Sequence, residues 1–342
     1  MSATRVGIVN VTGYAGAETA RILANHPHVE VTCVTGRSAA GQSLQSVFPH
    51  LAPVDQKILP EVDEVDFVIA ALPHHATAEI MPALLERVPK VVDISADFRL
   101  QDVPLYEQWY GDHPAPQLIP EAVFGIPELH TERIRKARLV ANPGCFSTAA
   151  ILGLAPIAHL IEPGVIIDGK TGISGAGRSS KVEYNFNEIN ENCSAYGLKG
   201  HRHLPEMEQE LGTLRSSGNM DLEPLDITFV PHLVPMTRGI LDTCYARLRD
   251  GMSQEDLTRL YESFYAETPF TRVVHSSPQT KQTLGSNHCI IHPRVDEKTG
   301  RVLVLSCLDN LVKGAAGQAV QNMNLMLGLP EDAGLGSLAV YP

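Results

Sequence analysis

Apolar and polar positions in the first half of the chain fall into a repeating order. Short apolar runs at 5–10, 29–35, 66–71, 90–94 and 139–142 alternate with segments of helical spacing, 19–25 and 76–87 among them. Strands apolar on both faces, interleaved with helices, belong to a doubly wound parallel sheet covered on each side. The segment 101–120 is rich in proline and polar residues and reads as an excursion over the surface. The second half has another rhythm. Strand-like runs at 165–171, 226–231, 239–248, 288–292 and 301–308 follow one another closely, with one helix at 253–265, which predicts a mixed or antiparallel sheet. A final stretch of small residues, 309–323, reads as a helix packed tightly against the first half.

Composition narrows the class. With 342 residues, 44% hydrophobic and 19% charged, the chain can bury the cores of two domains. Its formal charge of −12 is spread along the chain, which disfavours binding to nucleic acid or an anionic membrane. An anionic substrate must therefore meet a local basic site. The six cysteines form no CxxC pair, against a disulfide framework or zinc ribbon and in keeping with a reduced compartment. No run approaches about 18 apolar residues, and Met1 to Arg5 leads straight into a strand. A soluble, cytoplasmic protein is expected.

Three stretches carry candidate chemistry. The first strand runs into Asn10-Val11-Thr12-Gly13-Tyr14-Ala15-Gly16, a glycine turn opening a helix, where backbone can approach a pyrophosphate. Asn10 stands where the first glycine of such a fingerprint belongs, and asparagine tolerates left-handed backbone. After the second strand comes Gly36-Arg37-Ser38, with no acid to bond a ribose 2′-OH; Arg37 and Ser38 can receive a 2′-phosphate, so NADP(H) is expected over NAD. His74 and His75, at a strand end, read as cofactor-edge or surface residues. The second stretch is Asn142-Pro143-Gly144-Cys145, a strand, sharp turn and helix start. A thiolate at Cys145 would be favoured by unpaired N–H groups and the positive helix dipole; the alternative is a small core cysteine. The third is His201-Arg202-His203-Leu204-Pro205-Glu206, where histidines precede a helix whose dipole disfavours imidazolium, leaving neutral rings near pH 7. Structural histidines or a zinc site are the alternatives, and no spaced set of further ligands is evident, so no metal is expected. The glycine-serine loop 172–180 is either a ligand-approaching loop or a surface one.

Together TGYAGAE (12–18), SADFRL (95–100), NPGC (142–145), SGAGR (174–178), HRHLPE (201–206), TRGI (237–240) and DNLVKGAAGQAVQN (309–322) closely resemble the N-acetyl-γ-glutamyl-phosphate reductases, relatives of aspartate-semialdehyde dehydrogenase. Phe146-Ser147 stands where the family has Tyr-Pro. The resemblance implies reduction of N-acetylglutamyl 5-phosphate by NADPH to the semialdehyde and phosphate, in arginine biosynthesis. Cys145 would form a thioester, with His201 or His203 as acid/base. Thr12, Gly13, Tyr14, Ala15, Gly16, Arg37, Ser38, Ser174, Gly175 and Asn310 are implied at the cofactor, with Asn310 orienting the nicotinamide amide. Arg99, Asn142, Arg178 and Arg202 are implied at the substrate, Arg99 and Asn142 on the leaving phosphate. The organisation implied is a Rossmann NADP-binding domain in 1–144, completed by a C-terminal helix over 310–342, and an α+β catalytic and dimerisation domain in 145–309. A homodimer or homotetramer is expected. Aspartate-semialdehyde dehydrogenase and the carrier-linked aminoadipyl-phosphate reductase remain rivals, as does a noncatalytic NADP-binding redox sensor.

Overall fold

A computed structural model describes residues 3–178, 181–216 and 223–342. The chain divides into two compact units, one of residues 1–143 and 315–337, the other of 144–314 and 338–342.

The first unit holds six parallel strands: β1 (Thr4–Val9), β2 (Val29–Val34), β3 (Phe67–Ala70), β4 (Val91–Asp93), β5 (Val123–Phe124) and β6 (Leu139–Ala141). Their order is β2-β1-β3-β4-β6-β5. Val6, Ile8, Val68, Ile69, Val91, Val92, Leu139 and Val140 are completely buried, as expected of strands sandwiched between helices. The order reverses between β1 and β3, whose carboxyl ends are where such sheets open a ligand crevice.

Three features differ from the reading of the sequence. The first helix spans Tyr14–Leu23 and begins five residues ahead of the expected 19, because Gly13 is its N-cap and Gly16 lies inside its first turn. The segment 101–120 runs over the surface as expected, but it holds a helix and a few buried anchors that the proline and polar content does not suggest. Asp102 caps a helix, Val103–Tyr110, by accepting from Leu105 N (3.2 Å), and Tyr106 is fully buried with its hydroxyl donating to Asp97 Oδ1 (3.0 Å). His113 donates to the Asp97 carbonyl (2.6 Å) beneath the same ring. Polar aromatic residues fill this layer, and their partners make burial affordable where a count of aliphatics sees only loop. Third, the C-terminal helix does not run over 310–342. A π-helical turn, Val312–Ala316, leads into Gly317–Leu327, where Gly328 in the left-handed region (φ 69°) and then Pro330 end it. Gly317–Leu327 packs on β4 and on the helices Tyr14–Leu23 and Pro127–Lys136.

Asp93, at the end of β4, accepts from Ser95 N (2.8 Å) and Ser95 Oγ (2.7 Å). Burial and the neighbouring Asp97 nonetheless push its carboxyl up to about 7. Between the ordinary carboxylate pKa and 7 the folded chain keeps a proton that the unfolded chain releases, so stability falls as pH rises through that window. Asp93→Asn, which keeps an acceptor for Ser95 N and meets Ser95 Oγ as a donor, is expected to remove this decline and raise Tm at pH 8 by at least about 4 °C, read by thermal melts at acid and alkaline pH.

The second unit is built on seven strands: β7 (Val165–Thr171), β8 (Ser194–Ala195), β9 (Ile227–Leu233), β10 (Ile240–Arg247), β11 (Thr271–Val273), β12 (Cys289–Asp296) and β13 (Arg301–Leu308). The order is β11-β12-β13-β10-β7-β9-β8, with β11–β12 and β7–β9 parallel and the other pairs antiparallel, the mixed sheet expected. Helices Cys145–Leu154, Leu204–Ser216 and Gln254–Phe264 pack on this sheet. Alternate residues of β7 point to the other face, where Ile166, Asp168 and Lys170 remain partly exposed. No described helix is long and apolar enough to cross a membrane.

Candidate active site

Cys145 is the first residue of the helix Cys145–Leu154. Every residue from Phe146 to Leu154 is buried, whereas Cys145 is only partly so, which places the thiol at the one accessible end of an otherwise sunken helix. No side chain caps the helix at Gly144, so its first-turn N–H groups are turned towards the space beside the thiol. The buried carboxylate of Glu206 accepts from Gly144 N (2.8 Å) and ties the turn to the start of the helix Leu204–Ser216.

Two glycines let other groups close on this turn. A Cβ on Gly144 would stand 2.4 Å from His203 Nε2, so the imidazole lies flat against the residue before the cysteine. A Cβ on Gly314 would stand 2.7 Å from Cys145 Cβ, so the π-helical turn presses its bare backbone against the cysteine from another side. His201 lies beside His203 (ring centroids 4.8 Å), with Phe146 (5.9 Å), Phe229 (5.3 Å) and Tyr196 (5.7 Å) around it. Burial, then His203, pushes the His201 ring down to about 3, so it stays neutral at physiological pH. Tyr196 is pushed up, first by burial and then by the nearness of Cys145. The structure therefore brings Cys145, His201 and His203 together in one unit. A nucleophile at a helix start with the neutral His201 ring and the His203 ring at its side is an arrangement for attack on an activated carbonyl.

The loop after β7 carries Ser174 and Gly175 in a short 3-10 turn, Ile173–Ala176; Ser179 and Ser180 of the expected loop lie outside the described residues. The carboxamide of Asn310 is used within the unit, Nδ2 donating to Ser174 Oγ (2.9 Å) and Oδ1 accepting from Gly239 N (2.8 Å). These bonds fix the 172–176 loop. Arg178 and Arg202 are exposed, Arg202 near enough to His201 to disfavour its imidazolium form.

In the first unit, Asn10 adopts φ 64°, the left-handed conformation anticipated for it, and its Nδ2 donates to Ala71 O (2.8 Å) between the ends of β1 and β3. A Cβ on Gly16 would meet Asn10 O at 2.3 Å, so only glycine allows the helix to start this close to the strand end. Thr12 to Gly16 thus form a cradle at a helix N-terminus without a side-chain cap or an acid in its first turn, which fits a pyrophosphate. Arg37 and Ser38 are exposed just beyond β2, where a ribose 2′-phosphate would be received. Arg99 is buried; its Nε donates to Asn142 O and its Nη2 to Ile94 O, both at 2.8 Å. Asn142 is fully buried, its Nδ2 donating to Ala315 O (3.2 Å) and its Oδ1 accepting from Asn322 Nδ2 (3.1 Å). These bonds hold the turn that leads to Cys145. The reading of the sequence passed over Glu206 as a bond to Gly144, Gly314 as a contact of Cys145, and Tyr196. Glu206 and Gly314 each lie in a quoted motif, 201–206 and 309–322, whereas Tyr196 has no local signal.

Residues 5–137 match the family described as semialdehyde dehydrogenase, NAD binding domain, and 145–310 that described as semialdehyde dehydrogenase, dimerisation domain. An N-acetyl-gamma-glutamyl-phosphate reductase of Dehalococcoides mccartyi is 51% identical, the alignment covering all of both chains. One from Geobacter sp. (strain M21) is 49% identical over 99% of each. Among solved structures, aspartate semialdehyde dehydrogenase II of Vibrio cholerae shares the fold at TM-score 0.73 and 17% identity, covering 96% of this chain and 99% of that one. The enzyme of Candida albicans, solved with NADP, follows at TM-score 0.69 and 15% identity, over 95% and 99%. With full-length identity of this order, the chain belongs to the N-acetyl-γ-glutamyl-phosphate reductase family.

Proposed function

We propose that this chain reduces N-acetylglutamyl 5-phosphate to N-acetylglutamate 5-semialdehyde and phosphate at Cys145, in arginine biosynthesis. The observation that carries the reading is the half-exposed Cys145 at an uncapped helix start, with His203 laid on Gly144 and His201 beside it. Bound NADPH supplies a hydride. Cys145 Sγ attacks the acyl phosphate, phosphate departs, and a thioester remains, which splits one difficult reduction into two easier steps. N–H groups at the helix start and the imidazoles stabilise the negative oxygen of each tetrahedral state, a type of contact worth about 3 kcal/mol per donor. Thr12 to Gly16 hold the cofactor's pyrophosphate, Arg37 and Ser38 its 2′-phosphate, and Ser174 and Gly175, fixed by Asn310, its nicotinamide end. Arg202 and Arg178 serve as anion anchors for the substrate; Arg99 and Asn142 hold the turn that leads to Cys145.

The enzyme works in the cytoplasm as a homodimer or homotetramer. The face of β7 turned from the helices, with Ile166 41% exposed beside the ion pair Asp168–Lys170 (2.8 Å), supports pairing of two copies there.

The reaction run backwards tests the function. N-acetylglutamate 5-semialdehyde, phosphate and NADP should yield NADPH, with NAD far weaker, and Arg37→Ala should raise KM for NADP about tenfold without changing that for NAD. Absence of NADPH formation by folded, NADP-binding protein overturns the assignment; turnover of aspartate semialdehyde alone transfers it to that relative.

A further inference from the structure

We infer that His201 acts as a fixed, neutral hydrogen-bond donor to the reacting carbonyl oxygen through Nε2–H, and takes no part in proton transfer. The inference rests on the acyl-transfer reading above. His203 N donates to His201 Nδ1 at 3.1 Å. An Nδ1 that accepts a backbone N–H has its lone pair engaged, so the single proton of the neutral ring sits on Nε2.

The surroundings hold the ring in that state. Phe146, Phe229, Tyr196 and His203 meet it edge to face, and a Cβ on Gly197 would already be 3.4 Å from its Cδ2. A ring flip exchanging Nδ1 for Cδ2 would break the bond to His203 N without offering another. The ionisable groups around it are His203 and Arg202, which oppose a second proton, Glu206, which favours one, and Tyr196 from the β8 side. The Glu206 carboxylate is itself held by Gly144 N. Its depressed pKa agrees with this balance. To act as a base, His201 would have to give up the His203 bond or pass through an imidazolate.

The chemistry does not require it to be a base. Cys145 thiolate forms the S–C bond, the C=O pair moves to oxygen, and the C–O bond to phosphate breaks as that pair returns. The one proton consumed overall ends on the departing phosphate, which leaves as its trianion and becomes HPO₄²⁻. The thioester carbon then accepts the hydride that NADPH provides, oxygen is again negative, and breaking C–S releases aldehyde and regenerates thiolate. At neither stage must the carbonyl oxygen bind and release a proton. A stationary Nε2–H lowers both barriers, as a neutral imidazole electrophile does elsewhere.

Two measurements on the full-length protein decide the matter. Ring ¹⁵N shifts, assigned to His201 by the signals missing in His201→Gln, should show a protonated Nε2 and an unprotonated Nδ1 from about pH 5.5 to 8.5. Convergence of both nitrogens to an imidazolium within that range overturns the inference. In kinetics, His201→Gln places an amide N–H near the Nε2 position and His201→Asn only near Nδ1. The glutamine variant should keep kcat within about tenfold and the same pH limbs, the asparagine variant should lose about 100- to 1,000-fold. Equal losses, or a pH limb that disappears in the glutamine variant, assign proton transfer to His201. The ¹⁵N readout needs no turnover, so it stands apart from any failure of the acyl-transfer reading.

Discussion

Cys145→Ser is expected to lower kcat by about 10⁴-fold or more while leaving NADP affinity and Tm nearly unchanged. The helix start that favours a thiolate cannot bring a hydroxyl, whose pKa lies far higher, into its anionic form near pH 7. Serine is close in size to cysteine, and the thiol is only half buried, so little packing is lost. The cofactor cradle at Thr12 to Gly16 lies in the other unit and is untouched. Stopped-flow turnover with equilibrium NADP binding separates the two effects. Residual activity within about 100-fold of the parent would exclude a covalent thioester, since among the described residues of the site no other side chain offers a comparable nucleophile.

The second large effect is expected from Gly314→Ala. The added methyl falls 2.7 Å from Cys145 Cβ, 3.2 Å from Cys145 Cα and 3.2 Å from Leu308 Cδ1. Two of these belong to the start of a buried helix, so the π-turn or the cysteine must move. A displacement of about 1 Å at a nucleophile costs on the order of 100-fold in rate, and overpacking costs about 1–3 kcal/mol in stability. Gly212→Ala is the matching control. Gly212 lies in the helix Leu204–Ser216 with nothing within 4 Å of an added Cβ, so that variant should gain about 0.5–1 kcal/mol and keep its kcat. If Gly314→Ala behaves like the control, the contact with Cys145 has no bearing on catalysis.

The contrast between these residues marks what a sequence reader can see. Cys145 announces itself locally: a strand at Leu139, the Asn142-Pro143-Gly144 turn and an apolar helix lie within a few positions, and the structure keeps that order. Asn10 is similar, because its left-handed backbone follows from the residue type and the neighbouring glycines. The bond from Gly144 N to Glu206 joins residues 62 apart, and the contact of Gly314 joins the two ends of the second unit. No periodicity encodes such meetings; they arise only when the mixed sheet brings the helices together. The internal hydrogen bonds of Arg99, Asn142 and Asn310 are hidden from the sequence for a related reason. Each has the right chemistry for an anion or an amide, but burial gave their polar groups internal partners, which a string of residues cannot reveal. The layer around Tyr106 was missed because its apolar content comes from aromatic rings spaced among prolines.

The nested path of the chain also bears on how it is made. The first unit needs Gly317–Leu327 on β4 and on its helices, yet those residues are made only after the whole of 144–314. The second unit is complete, save for its five-residue return at 338–342, once 314 has emerged. Vectorial synthesis therefore delivers the main segment of the thiol-bearing half while the nucleotide-binding half still lacks its closing helix.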